Sequence, residues 1–118
     1  MTILTKKFEF EAAHQLPWHK GKCSQLHGHT YKLEVSIAGE LNKDGVVMDF
    51  GEIKDIVQEK VISKLDHSYL NDVIQNPTAE NLITWIAEQI EKPIQEKAAK
   101  LYKIKLYETT NSSSERFF

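Results

Sequence analysis

Two stretches of this chain alternate apolar and polar residues at the period of two that an extended strand imposes, and in both the histidines fall on the apolar side. In the run from Phe8 to His14, the residues Phe8, Phe10, Ala12 and His14 share a face. In the run that opens at His27, one face carries His27, His29, Tyr31, Leu33, Val35 and Ile37, and the other carries Gly28, Thr30, Lys32, Glu34 and Ser36. Antiparallel pairing of the two strands places the end of the first beside the start of the second, so His14, His27 and His29 converge at one end of a sheet. Three neutral imidazoles with an open fourth position are the ligand set of a catalytic zinc, whereas a structural zinc is closed by four protein ligands. Cys23 lies in the link between the strands and could close the set. A non-enzymatic zinc-binding module is therefore the alternative to an enzyme.

Composition narrows the classes further. A chain of 118 residues fits one domain, residues 1-118, in which a partner subunit could complete a site. The formal net charge of -2, with lysines scattered rather than clustered, gives no reason to expect nucleic acid or an acidic membrane surface as a partner. The single cysteine cannot form an internal disulfide, which suits a reducing compartment. The first residues lack the apolar core and cleavage site of a signal peptide, and no run approaches the roughly 20 apolar residues of a membrane helix. A cytoplasmic protein is expected.

Beyond the second strand, the polar cluster Asn42, Lys43 and Asp44 between Gly39 and Gly45 reads as a turn. Asp49 to Glu52 has the spacing of a capping box, and Phe50, Ile53, Val57, Val61 and Leu65 recur at helical spacing, predicting a helix that ends near Asp66 and His67. A second helix is predicted from Pro77 in its first turn, with a stripe of Leu82, Ile83, Ile86 and Ile90, closed by Pro93. A third strand follows, with Tyr102, Ile104, Leu106 and Glu108 on one face, then a polar loop and a short strand to Phe118. The order ββααββ predicts an α+β fold, a four-stranded antiparallel sheet with two helices on one face.

Several of these residues fall into a pattern that resembles the 6-pyruvoyltetrahydropterin synthase superfamily: His14, Cys23-x-x-x-His27-Gly28-His29, Asp49-Phe50, Leu65-Asp66-His67, Leu70-Asn71, Pro77-Thr78-Ala79-Glu80-Asn81 and Glu108-Thr109. The three-residue gap between Cys23 and His27 is similar to the bacterial 6-carboxytetrahydropterin synthases of the 7-deazapurine (queuosine) pathway. The resemblance implies a tunnelling fold (T-fold) assembled as a homo-oligomer, a hexamer made of two trimers, with sites at subunit interfaces. It also implies the substrate 7,8-dihydroneopterin triphosphate and the products 6-carboxytetrahydropterin, acetaldehyde and triphosphate. The sister reaction on the same scaffold eliminates triphosphate without carbon–carbon cleavage and yields 6-pyruvoyltetrahydropterin.

Roles follow from the resemblance residue by residue. His14, His27 and His29 would hold Zn2+, and Cys23 would be the base on the loop above it, a thiol type whose unperturbed pKa near 8.5 a cationic or metal neighbour can depress. Asp66 would orient and charge His67 as a proton shuttle, although a histidine beside a helix C-terminus is also favourable for purely structural reasons. Glu108 would accept two hydrogen bonds from the amino group and ring N–H of the pterin, with Thr78, Glu80 and Thr109 around the ring. Thr78 reads equally well as a helix cap. His19, Lys20 and Lys22 are the cations nearest Cys23 in sequence and are candidates for the triphosphate.

Overall fold

In the computed structural model, which describes residues 1–118, the two alternating runs form long strands, β1 (Thr2–His14) and β2 (His27–Gly39). They pair antiparallel with Phe8 opposite Leu33, Phe10 opposite Tyr31 and His14 opposite His27. A 3-10 turn, Lys22–Ser24, lies in the connection. Helix α1 (Phe50–Val57) continues through a π-helical stretch, Gln58–Ile62, and a last α turn, Ser63–Leu65, so the first helix ends where its apolar stripe does. Strand β3 (Ser68–Tyr69), a 3-10 turn (Leu70–Asp72), helix α2 (Ala79–Gln95), β4 (Lys100–Thr109) and β5 (Ser112–Phe117) complete the chain.

The sheet has five strands in the order β3-β1-β2-β4-β5, one more than the alternation predicts. The extra strand is β3, which pairs parallel with β1 through Ala12 opposite Ser68 and Ala13 opposite Tyr69. Two residues are too few to leave a periodic signature. One face of the sheet packs on both helices around a core that joins Phe10, Tyr31, Leu33, Ile104 and Leu106 to Ile53, Val57, Leu65, Leu82, Ile86 and Ile90. Most of these side chains are fully buried, at about 1.5–3 kcal/mol each.

Four local expectations resolve differently. Asp49 occupies the N-cap position of α1 but makes no side-chain cap hydrogen bond, and Glu52 pairs instead with Lys97 at 2.7 Å. Pro77 stands just outside α2, whose cap is Thr78. Pro93 lies inside α2, which runs on to Gln95 and buries Ile94. In β4, an irregularity opposite Ser36 and Ile37 turns the strand so that Leu101, not Tyr102, joins Ile104 and Leu106 in the core.

Helix α2 ends in a Schellman arrangement, with Ala98 N–H donating to Gln95 O at 3.0 Å and Ala99 N–H to Ile94 O at 3.4 Å. Ala98 sits there at φ 61°, the left-handed conformation that glycine adopts without strain. An L-residue in that conformation loses about 1–2 kcal/mol, part of which glycine returns through the greater freedom of its unfolded chain. Ala98→Gly is expected to stabilise the protein by about 0.5–1 kcal/mol. Its urea midpoint should rise with an unchanged slope.

Candidate metal centre

The register of β1 and β2 sets His14 directly across from His27, with His29 opposite Ala12 on the same face. The ligand-capable nitrogens of the three rings lie within 4.8 Å of one another. Second contacts fix which nitrogen of two rings carries the proton. His14 Nδ1 is 2.8 Å from the Pro77 carbonyl oxygen, and His27 Nδ1 is 2.8 Å from the Gln25 carbonyl oxygen. A carbonyl only accepts, so each Nδ1 donates, and in the neutral form of either ring the lone pair of Nε2 faces inward. These two Nε2 atoms are 3.1 Å apart. Facing lone pairs repel, and a cation between them converts that repulsion into two bonds. Backbone carbonyls that orient ligating imidazoles in this way are the usual outer shell of a metal site.

His29 supplies the third nitrogen. Its Nε2 is buried with no hydrogen-bond partner, and Glu108 Oε1, 3.4 Å away, lies outside hydrogen-bonding geometry. Burial lowers the His29 pKa from its ordinary value, His14 and His27 add to the lowering, and the Glu108 carboxylate opposes it. The ring is thus held neutral near pH 7, with a lone pair free to ligate. Beneath the cluster, Tyr31 is fully buried and stacks on Phe10 at 4.9 Å. Burial and the nearby Glu108 charge both raise its pKa, so it is a neutral floor rather than a fourth ligand. The donor set is therefore three imidazoles, which suits zinc-type divalent ions better than magnesium or calcium.

The other candidates occupy distinct places. Cys23 sits half-buried in the 3-10 turn between β1 and β2, outside the imidazole cluster. Asp66 and His67 stand together at the end of the first helix, with Asp66 Oδ2 3.1 Å from His67 Nδ1. His67 is 77% exposed, and no hydrogen bond joins the pair to Cys23 within the chain. The pair is nevertheless built in. His67 takes a left-handed conformation, φ 61°, its N–H donates to Glu11 O, and Asp66 Oδ1 accepts the Glu11 N–H at 3.0 Å. Left-handed backbone at a histidine is an investment in direction, because it turns the helix end straight into β3.

Glu108 reaches from β4 toward His29 and also lines a cavity of about 150 Å³ with Glu80, Ala79, Ser112, Ser113 and Ser114. The hydroxyl of Thr78 is occupied as a cap, accepting the Asn81 N–H at 3.1 Å, and that of Thr109 donates to Asn111 Oδ1 at 3.1 Å. His19 Nδ1 accepts the Gly21 N–H at 2.8 Å, while Lys20 and Lys22 are exposed. The sequence reading misses the Pro77 and Gln25 carbonyls, since a backbone oxygen leaves no residue-type signature. It also misses the serines opposite Glu108, which read as turn residues.

Comparison with known proteins places this geometry among relatives. The profile of the 6-pyruvoyl tetrahydropterin synthase family matches residues 3–116. The chain is 39% identical over 124 residues to a Synechocystis protein named 6-carboxy-5,6,7,8-tetrahydropterin synthase, covering 99% of this chain and 94% of that protein. It is 46% identical over 83 residues to a dihydroneopterin monophosphate aldolase of Pyrococcus furiosus, covering 70% of this chain and 69% of that one. Among solved structures, Caenorhabditis elegans 6-pyruvoyl tetrahydropterin synthase superposes with a TM-score of 0.83 at 25% identity, covering 100% of this chain and 97% of the other. The α+β sandwich is thus the T-fold, and no helix in it is long and apolar enough to cross a membrane.

The Asp66 anchor makes a prediction about acid stability. The Glu11 N–H and then His67 hold the Asp66 carboxyl below its ordinary range. A depressed folded-state pKa stabilises the fold above the unfolded value, about 3.9, and that contribution is lost as pH falls through the folded value. Asp66→Asn keeps an acceptor for Glu11 but cannot titrate. Urea unfolding between about pH 6 and pH 3 should show the variant losing less stability than the parent across the acid end.

Proposed function

The chain belongs to the 6-pyruvoyl tetrahydropterin synthase family, and we propose on that footing that it acts as a 6-carboxy-5,6,7,8-tetrahydropterin synthase. It converts 7,8-dihydroneopterin triphosphate to 6-carboxytetrahydropterin, acetaldehyde and triphosphate, as a step in 7-deazapurine (queuosine) biosynthesis. The observation that carries this reading is the inward turn of the His14, His27 and His29 nitrogens beside Glu108 at one end of the sheet. The near full-length likeness to the Synechocystis protein supports the choice of reaction.

His14, His27 and His29 are the residues that would hold Zn2+. Bound there, zinc would supply Lewis-acid chemistry, lowering the pKa of the substrate's side-chain hydroxyls and stabilising the charge that builds as the adjacent C–H bond breaks. The residues of the chain do the rest. Glu108 accepts the amino and ring N–H groups of the pterin in a paired hydrogen bond, fixing which side-chain carbon faces the metal. Glu80, Thr78 and Thr109 line the approach to the ring. Cys23, on the loop after β1, takes the proton from that carbon as general base. Asp66 orients His67, so that the imidazole can return a proton to a substrate oxygen or carbon.

The exposed Asp66–His67 pair fits a site shared between subunits, in which the pair of one chain serves the zinc and Cys23 of its neighbour. A homohexamer of two trimers with open sheet edges β3 and β5 joined between chains provides that arrangement. The likeness to a 6-pyruvoyl tetrahydropterin synthase favours one second reading, elimination of triphosphate with the side chain left whole.

Two experiments test these readings. Zinc added to metal-free protein should bind once per chain and raise the melting temperature, by about 2.7 kcal/mol of stabilisation at a free zinc concentration of 100 Kd. His27→Ala should abolish that shift, and a variant that kept it would displace the three-imidazole site. Incubated with 7,8-dihydroneopterin triphosphate, the zinc-loaded protein should release acetaldehyde stoichiometrically with 6-carboxytetrahydropterin, and Cys23→Ala should slow turnover about 100-fold or more while retaining zinc. Triphosphate release without acetaldehyde would move the protein to the 6-pyruvoyl reaction.

A further inference from the structure

No fully buried side chain anchors the turn that carries Cys23. The 3-10 turn Lys22–Ser24 contains no buried residue, and the Cys23 thiol makes no hydrogen bond. The backbone carbonyls of the turn are held by two donors from the residues just past His14. Leu16 N–H donates to Cys23 O at 2.9 Å, and the Gln15 side-chain amide donates to Ser24 O at 3.0 Å. Leu16 itself is buried.

What fixes Gln15 is a single side chain. The parallel ladder between β1 and β3 stops at Ala13 and Tyr69. Two residues on, Asn71 takes over the role of a strand backbone with its side-chain amide: Oδ1 accepts the Gln15 N–H at 2.9 Å, and Nδ2 donates to Gln15 O at 2.8 Å. The turn that presents Asn71 is anchored by fully buried Leu70. Only an amide offers a donor and an acceptor side by side. Aspartate lacks the donor, and leucine or alanine lacks both.

We propose that Asn71 is a positioning residue, which through Gln15 places Cys23 relative to the three imidazoles. The inference rests on the reading of Cys23 as the base, and extends it to a residue that touches neither metal nor substrate. The chain of contacts runs from Asn71 to the Gln15 backbone, and from Gln15 and Leu16 to the carbonyls of Ser24 and Cys23. The rings of His14 and His27 bond to other groups, the Pro77 and Gln25 carbonyls. Asn71 touches neither ring, so its loss should move the thiol more than the metal ligands.

The test uses the full-length zinc-loaded protein, whose single cysteine makes iodoacetamide alkylation a reading of Cys23 alone. Asn71→Ala and Gln15→Met are compared with Asn42→Ala, which removes an asparagine that caps the distant β2–α1 loop through the N–H groups of Asp44 and Val46. For Asn71→Ala and Gln15→Met, kcat on 7,8-dihydroneopterin triphosphate should fall about 10- to 100-fold with KM within about twofold, and the alkylation rate should change about threefold or more. Zinc should stay at one per chain. Asn42→Ala should lose stability and change neither readout. Alkylation and kcat of Asn71→Ala no more altered than those of Asn42→Ala would overturn the proposal. If Asn71→Ala does not fold, the near-isosteric Asn71→Asp decides by the same two readouts, because it removes only the Nδ2 donor to Gln15 O. Full turnover by Cys23→Ala would instead sink the base reading, and the alkylation arm would still decide whether Asn71 places the thiol.

Discussion

The site depends on the register between β1 and β2. Side chains alternate along a strand, so a slip of one residue would send His14 to the opposite face from His27 and His29. The register is pinned by Phe8 against Leu33 and, just beneath the histidines, by Phe10 against Tyr31, side chains that are buried or nearly so. Apolar burial along the strands thus determines where three nitrogens meet at their end. The three-imidazole cluster inherits its precision from the apolar core.

From that end the rest of the site is assembled by short polar contacts. The Pro77 carbonyl comes from the entry to α2, the Gln25 carbonyl from the β1–β2 link, and Glu108 from the end of β4. Three separate segments therefore address the end of the strand pair. Each is held by something outside the site: Thr78 by its cap to Asn81, the Cys23 loop by Gln15 and Leu16, and β4 by Ile104 and Leu106 in the core. The Asp66–His67 pair is the exception, since it is anchored to Glu11 and makes no hydrogen bond to its own chain's thiol.

The two long strands, the two helices and the convergence of His14, His27 and His29 were legible in the sequence because they rest on periodicity, which burial imposes directly. Glu108 was legible as an odd carboxylate closing an apolar row, and the structure sets it beside His29. Strand β3 was not, being too short for a period, and Tyr102 was misplaced because one irregularity in β4 exchanges its face with Leu101. The capping box at Asp49 failed for a different reason. Its spacing is right, but Glu52 finds a stronger partner in Lys97. Such competition between local partners leaves no mark on periodicity.

The first helix shows how such periodicity is kept in step. Ile53, Val57, Val61 and Leu65 are spaced by four, and a regular α-helix at 3.6 residues per turn would let that row drift about 40° around the axis at every step. All four are nonetheless fully buried. The π-helical stretch Gln58–Ile62 widens the turn in the middle of the row and slows its rotation. The helix is in effect geared to the core beneath it. It delivers Leu65 inward, and with it Asp66 at the Glu11 amide, at an angle that a uniform α-helix of the same length would overshoot.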